Sequence, residues 1–128
     1  MVASVGTAYD LTCVYCGVLA NSRDHLFPCA YRGHRTFTSE AGEIVAACTE
    51  CNSLLGDQLL FKIKDRATFL HTAYSKRWGK LLRTPRWTIE ELAELDGSLR
   101  ESITRTLYDV GVCKLRLAYL LKTSQQTR

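Results

Sequence analysis

Four cysteines form two Cys-x-x-Cys pairs, one at Cys13 and Cys16 and the other at Cys48 and Cys51. A two-residue spacer lets the backbone fold around a sphere, so both sulfurs of a pair can bind one edge of a metal ion. Two such pairs supply four thiolates, the set that a tetrahedral structural Zn²⁺ requires. The alternative interpretation is a group of buried free cysteines, which are common in protein cores. The spacing favours a closed zinc site, which stabilises a fold and leaves no open position for chemistry.

The two other cysteines, Cys29 and Cys113, are isolated in the sequence. Core packing is the better interpretation for both, although Cys29 lies close enough to the predicted hairpin to be an extra ligand. The opening MVASVGTAYDLT has no basic region leading into an apolar one, and no run reaches the roughly 20 apolar residues of a membrane span. We therefore expect a cytoplasmic protein that binds metal rather than forming disulfides and does not associate with membranes.

Asp24, His25 and Asn52 form a second group of candidate residues. Asn52 directly follows the fourth cysteine and falls in the first turn of a predicted short helix. Asp24 and His25 are expected to begin a strand, where neighbouring side chains point to opposite faces. Carboxylate and amide oxygens are hard ligands that suit Mg²⁺ or Mn²⁺. The alternative is an ordinary strand start in which His25 makes a local hydrogen bond.

Positive charge is concentrated in residues 62–86, which contain eight basic residues and one acidic residue. Residues 1–61 contain three basic and six acidic residues, and residues 87–128 contain six of each. Cations gathered in this way suit the neutralisation of nucleic-acid phosphates, although a solvated helix face would have a similar composition. The candidate phosphate contacts are Lys62, Lys64, Arg66, Lys76, Arg77, Lys80 and Arg83.

The elements expected to position these residues begin with a hairpin, in which LFPCAYR and EIVAAC are two short strands joined by GHRTFTSEAG. A short helix is predicted from Thr49 to about Gly56, and a longer one from Leu60 to about Leu82 has most of the cations on its polar face. These elements predict a treble-clef arrangement around the four cysteines.

Helical signals continue to the end of the chain. Thr88 and Glu91 have the spacing of a capping box, which predicts a short helix that Gly97 would end. A last long helix is predicted from its apolar residues Leu99, Ile103, Leu107, Val110, Leu117 and Leu121. The predicted fold is a small α+β protein: a zinc module in residues 1–60, followed in residues 61–128 by about three α-helices that include the basic helix of residues 62–86.

The motifs CVYCG, DHLFP and CTECN together resemble the HNH nuclease family, of the type with a structural zinc and a ββα-metal core. The form that ends in Asn is similar to the phage endonuclease VII type, and the resemblance covers about residues 13–57. It implies a metal-dependent DNA endonuclease in the cytoplasm of a bacterial host cell. Asp24 and Asn52 would bind the catalytic Mg²⁺ or Mn²⁺, and His25 would be the general base. Many such nucleases act as homodimers.

Two residues depart from the family pattern. Glu43 stands where the family usually has an Asn that orients the His, and it could accept a hydrogen bond from the imidazole or be a solvated loop residue. Leu55 replaces the Lys that many members have after CN. These departures support a rival interpretation, a catalytically degenerate zinc module that binds nucleic acid or a host protein.

Overall fold

The computed structural model describes residues 11–26 and 44–126. Within these ranges a two-stranded sheet is followed by five helices, a small α+β arrangement that confirms the predicted fold class. In chain order the elements are β1 (Ser22–His25), β2 (Ile44–Ala47), α1 (Thr49–Leu55), α2 (Ile63–Arg77), α3 (Gly79–Leu82), α4 (Ile89–Ala93) and α5 (Gly97–Ser124).

The first strand lies earlier in the chain than the sequence predicted. β1 pairs antiparallel with β2, with Asp24 opposite Val45 and His25 opposite Ile44. Asp24 and His25 therefore end β1 instead of beginning a strand, because pairing with β2 already starts at Ser22. The second strand is found within EIVAAC as expected. Most of LFPCAYR, with Cys29, and the loop that contains Glu43 lie outside the described residues.

The predicted helix from Leu60 to Leu82 is divided in two. α2 ends at Arg77, and the short α3 follows Trp78, whose dihedral angles (φ −95°, ψ 10°) leave the α-helical range. Gly79 comes next, and glycine is among the weakest helix formers. The indole of Trp78 is buried and stacks on the ring of Tyr74, with 4.5 Å between the ring centroids. The joint between the two helices is thus fixed by aromatic packing.

The two last helices begin at side-chain caps. The predicted capping box is confirmed: the Glu91 backbone N–H donates to Thr88 Oγ1 at 3.1 Å, and the Thr88 N–H donates to Glu91 Oε1 at 2.8 Å. The role predicted for Gly97 is wrong, because it begins α5 instead of ending α4. The reason is the preceding Asp96, whose carboxylate accepts a hydrogen bond from the Leu99 N–H at 3.0 Å and caps α5.

One core connects the cysteine-rich part with the helices. Buried side chains from both sides of residue 60 belong to the same cluster, among them Cys13, Tyr15, Leu55, Leu70, Tyr74 and Leu120. α5 packs mainly on α2. Its buried residues include Val110, as predicted, and Cys113, whose interpretation as a core residue is confirmed, whereas Leu121 is 47% exposed and Leu120 is buried in its place.

In the part of the chain that the structure describes, no helix has both the length and the apolar character that crossing a bilayer demands, and this includes the 28-residue α5.

Candidate metal centre and its surroundings

The four paired cysteines meet at one buried point. The Sγ atoms of Cys13, Cys16, Cys48 and Cys51 all lie within 4.8 Å of one another. A tetrahedron with Zn–S bonds of about 2.3 Å has sulfur–sulfur edges of about 3.8 Å, and the sulfurs of Cys16 and Cys48 are 3.8 Å apart. The donor set and its size thus fit a structural zinc ion, and the predicted cysteine cluster is present in the fold.

A tight turn presents the first pair. The Cys13 N–H donates to Val18 O at 2.7 Å, and the Gly17 N–H donates to Cys13 O at 3.0 Å. Gly17 has φ +83°, a left-handed conformation that glycine adopts without strain. A Cβ atom at this position would also lie 2.6 Å from the ring of Tyr119 in α5. Glycine therefore serves both the turn and the close approach of the last helix.

The start of α1 presents the second pair. Cys48 is the N-cap of this helix, and its sulfur accepts a hydrogen bond from the Cys51 N–H at 3.4 Å. The partial positive charge at a helix start favours a thiolate. Asn21, directly before β1, also caps this helix start, because its Oδ1 accepts from the Thr49 N–H at 2.8 Å.

Two residues from the helices complete the surroundings of the sulfurs. The Tyr74 hydroxyl donates to Cys51 Sγ at 3.2 Å, and Arg116 Nη2 lies 3.8 Å from Cys48 Sγ. The Arg116 guanidinium also donates to Glu50 Oε1 at 2.9 Å and lies over the rings of Tyr74 and Trp78, at 4.8 and 4.9 Å. A zinc ion with four thiolates carries two negative charges, and Arg116 places beside them a positive charge that it shares with Glu50.

Burial and hydrogen bonding set the protonation states around the cluster. The hydrogen bond with Cys16, together with those to the other two sulfurs, lowers the pKa of Cys13 far below its ordinary value. Burial raises the pKa of Tyr74 well above its ordinary value, and its hydrogen bond to Cys51 adds to this effect. The Tyr74 phenol therefore stays neutral and keeps the hydrogen that it donates to Cys51 Sγ.

The predicted metal ligand Asp24 is 3% exposed, and both of its carboxylate oxygens accept hydrogen bonds from protein side chains. Arg66 donates to it twice, from Nη2 to Oδ1 at 2.9 Å and from Nε to Oδ2 at 3.0 Å, and the Tyr15 hydroxyl donates to Oδ2. Burial, and after it the charge of Asp24, raises the pKa of Tyr15. The carboxylate therefore has a guanidinium as its counter-ion inside the protein.

Asn52 lies against the strand that carries the other two candidates. Its Nδ2 donates to Arg23 O at 2.7 Å and to Ser22 Oγ at 3.3 Å. Ser22 and Asp24 share one face of β1 because side chains alternate along a strand, and His25, which is half-buried, belongs to the other face. The structure thus brings Asn52 to β1, while Glu43 lies outside the described residues.

The predicted phosphate contacts divide by exposure. The exposed ones are Lys62, Lys76, Arg77, Lys80 and Arg83, and Lys64 is half-buried. Arg77 donates to Glu50 Oε2 at 3.0 Å in a partly exposed ion pair. Arg66 is fully buried and holds Asp24, so it does not lie on the surface that a phosphate contact requires. Among the described residues, no carboxylate forms an ion pair with Lys76, Lys80 or Arg83.

Arg66 and Arg116 were not predicted from the sequence to be buried partners of Asp24 and of the cysteine cluster. A signal existed for both. Arg66 lies three residues after Ile63 and four before Leu70, and Arg116 lies three after Cys113 and four before Leu120, which places each on the apolar side of its helix. A cation within an apolar helical stripe indicates a buried ion pair.

Comparisons of this chain with models of protein families, with curated proteins and with solved structures find no match. The resemblance to HNH nucleases therefore rests on the three sequence motifs.

Proposed function

We propose that this chain is a zinc-stabilised module that binds the phosphate backbone of nucleic acid. The proposed contact is the basic surface, which we define as Lys76, Lys80 and Arg83 at the junction of α2 and α3. The observation that carries the proposal is the exposure of these three cations within residues 76–83, on both sides of the joint at Trp78. Within the described residues they form no ion pair with a carboxylate.

The helical segment that carries the basic surface is anchored in the core. Tyr74 and Trp78 of the same segment are buried in the core, and the Tyr74 hydroxyl donates a hydrogen bond to Cys51 of the cysteine cluster. Because the backbone that carries these cations is already ordered, binding to nucleic-acid phosphates should cost little backbone entropy. Contacts to phosphates position a protein on nucleic acid without reading its sequence, so we expect affinity with little sequence preference.

Salt-dependent binding tests this proposal. Fluorescence anisotropy with a labelled DNA duplex would compare the zinc-loaded protein with the Lys76→Gln/Lys80→Gln variant over a series of KCl concentrations. Each neutralised phosphate contributes about 0.9 to the slope of log K against log salt, so the slope should fall in magnitude by about 1.8. The matched control is Arg100→Gln/Lys114→Gln, which removes the same charge from exposed positions of α5. Equal weakening by both variants, or no binding to duplex, single-stranded or branched DNA, would overturn the proposal.

A second candidate function is metal-dependent hydrolysis of DNA, and the position of Asn52 favours it. The order β1, β2, α1, with Asn52 held against β1 by its bond to Arg23 O, is the arrangement that the HNH resemblance implies. Under this proposal Asp24 and Asn52 would hold Mg²⁺ or Mn²⁺, which would stabilise charge on the scissile phosphate, and His25 would accept the proton of the attacking water. Asp24 would first have to release Arg66.

A plasmid-nicking assay separates the two candidates. The zinc-loaded protein would be tested with Mg²⁺, with Mn²⁺ and with a chelator, beside His25→Ala and the control His71→Ala. Nicking that depends on added metal, disappears in His25→Ala and persists in His71→Ala would support hydrolysis. Nicking that persists in His25→Ala would refute the assignment of His25, and DNA binding without nicking in either metal would leave the module as a binder.

A further inference from the structure

The face of α5 that points away from the core carries an apolar stripe. Tyr108 and Leu115 are 71% and 73% exposed, and Tyr119, at the edge of the stripe, is 40% exposed because part of its ring packs on Gly17. Their spacings of seven and four residues place them on one side of the helix, opposite the buried Val110 and Cys113. Contiguous apolar surface of this kind, rich in tyrosine, is typical of sites that bind another protein.

The middle of the stripe permits close approach of a second helix. Gly111 lies between Tyr108 and Leu115, is exposed, and has no atom near the place where a Cβ would be. Helices that pack through small residues approach to axis separations of about 8 Å, the short end of the usual range. Along the helix axis, the stripe thus has large side chains before and after Gly111, which itself has no side chain.

Charge at the two ends of the stripe indicates what fits on it. Glu101 is exposed at its beginning and Lys122 at its end, both on the same side as Tyr108. If a second copy of α5 lies antiparallel, with a two-fold axis between Gly111 and Val112, Glu101 meets the partner's Lys122. The same register places Tyr108 opposite the partner's Leu115. A parallel pair would instead place identical charges together at both ends.

We infer that this face of α5 is the interface of an antiparallel, two-fold symmetric homodimer. Such an interface is self-complementary, and the stripe meets that requirement in both its apolar residues and its charges. From Glu101 to Lys122 the helix extends about 32 Å. One pair of helices in contact over this length buries on the order of 1,000 Å² in total, at the lower end for specific interfaces. Interfaces at this end of the size range are typical of weak, transient complexes, so we expect a dissociation constant on the order of micromolar. This inference does not depend on the proposed function.

Sedimentation velocity of the full zinc-loaded chain, from about 1 to 200 µM, tests the inference. The protein should pass from monomer to dimer within this range. Leu115→Glu should weaken the dimer at least tenfold, whereas Ile89→Glu, at an 82% exposed apolar residue of α4 outside the stripe, should leave it unchanged. Zinc content and circular dichroism would verify that each variant is folded. A protein that is monomeric throughout, or equal effects of the two variants, would overturn the interface.

Charge reversal tests the register separately. Glu101→Lys and Lys122→Glu should each weaken the dimer, because each places like charges together at both ends. The combined variant exchanges the two charges and should restore wild-type affinity. If the combined variant is weaker than either single variant, the antiparallel register is refuted.

Discussion

Replacing Arg66 with methionine should strongly destabilise the fold, although Arg66 lies in the most basic segment of the chain. The side chains of Arg66 and Asp24 are 0% and 4% exposed, and two hydrogen bonds join them. Arg66 also donates to the backbone oxygens of Leu26, at 3.4 Å, and Leu60. Removing it leaves a carboxylate without a counter-ion in the interior, which typically costs about 3–5 kcal/mol. Domains of this size have a free energy of unfolding of about 5–15 kcal/mol, so the loss would be a large fraction of the total.

Urea unfolding of the zinc-loaded protein, followed by tryptophan fluorescence, measures this cost. With a slope of about 2 kcal/mol per molar urea, a loss of 4 kcal/mol lowers the midpoint by about 2 M. The informative control is the double variant Asp24→Leu/Arg66→Met, which removes both charges. Buried ion pairs can often be replaced by apolar residues at little cost, so the double variant should be more stable than Arg66→Met. Its recovery should be incomplete by about 1–2 kcal/mol, because the Tyr15 hydroxyl loses its acceptor.

A cost of less than about 1 kcal/mol for Arg66→Met would be the value of an ion pair screened by solvent. That result, or a double variant less stable than the single one, would refute the buried pair as a structural element.

Three further results are expected. Arg116→Met should release zinc to a colorimetric chelator about 10–100 times faster than the wild type, because groups that hydrogen-bond to metal ligands typically raise metal affinity by this factor. An unchanged rate of release would contradict the role of Arg116 as a counter-charge. Gly17→Ala should lower the free energy of unfolding by more than about 1 kcal/mol, since alanine is strained at this φ and its Cβ meets Tyr119; wild-type stability in thermal unfolding would show that the turn tolerates a side chain. Burial raises the pKa of Tyr15 and Tyr74, so the neutral phenols stabilise the fold fully below pH 10 and lose that contribution as the pH rises further. In an absorbance titration at 295 nm, both tyrosines should therefore ionise only as the protein unfolds. Two early, reversible ionisations, assigned to these residues with Phe variants, would be inconsistent with burial.

Features that depend on nearby residues were predictable from the sequence. The spacing of each cysteine pair and the capping box of Thr88 and Glu91 are local patterns, and the structure contains both. The start of β1 was misplaced because a strand of four residues has too few side chains for a clear alternation, and pairing with β2 determines its limits. The end assigned to Gly97 was wrong because the cap at Asp96 outweighs the low helix propensity of glycine.

Contacts between distant residues were not predictable in the same way. Asp24 and Arg66 are 42 positions apart, and Cys48 and Arg116 are 68 apart. A motif read alone assigns Asp24 to a metal and Arg66 to phosphate, since nothing local reveals that the two charges satisfy each other. Only the arrangement of β1 against α2 brings them together, and charged residues within apolar helical stripes were the available indication.

The position of Arg116 over the cysteine cluster links the exchange of the ion to the movement of the last helix. All four sulfurs lie before α5 in the chain, so the last helix supplies no ligand to the cluster. Once α5 has docked, its guanidinium and the rings of Tyr74 and Trp78 cover one side of the cluster. We expect a chelator approaching from this side to meet the helix first, so that local opening of α5 limits the loss of a bound ion at high chelator concentration.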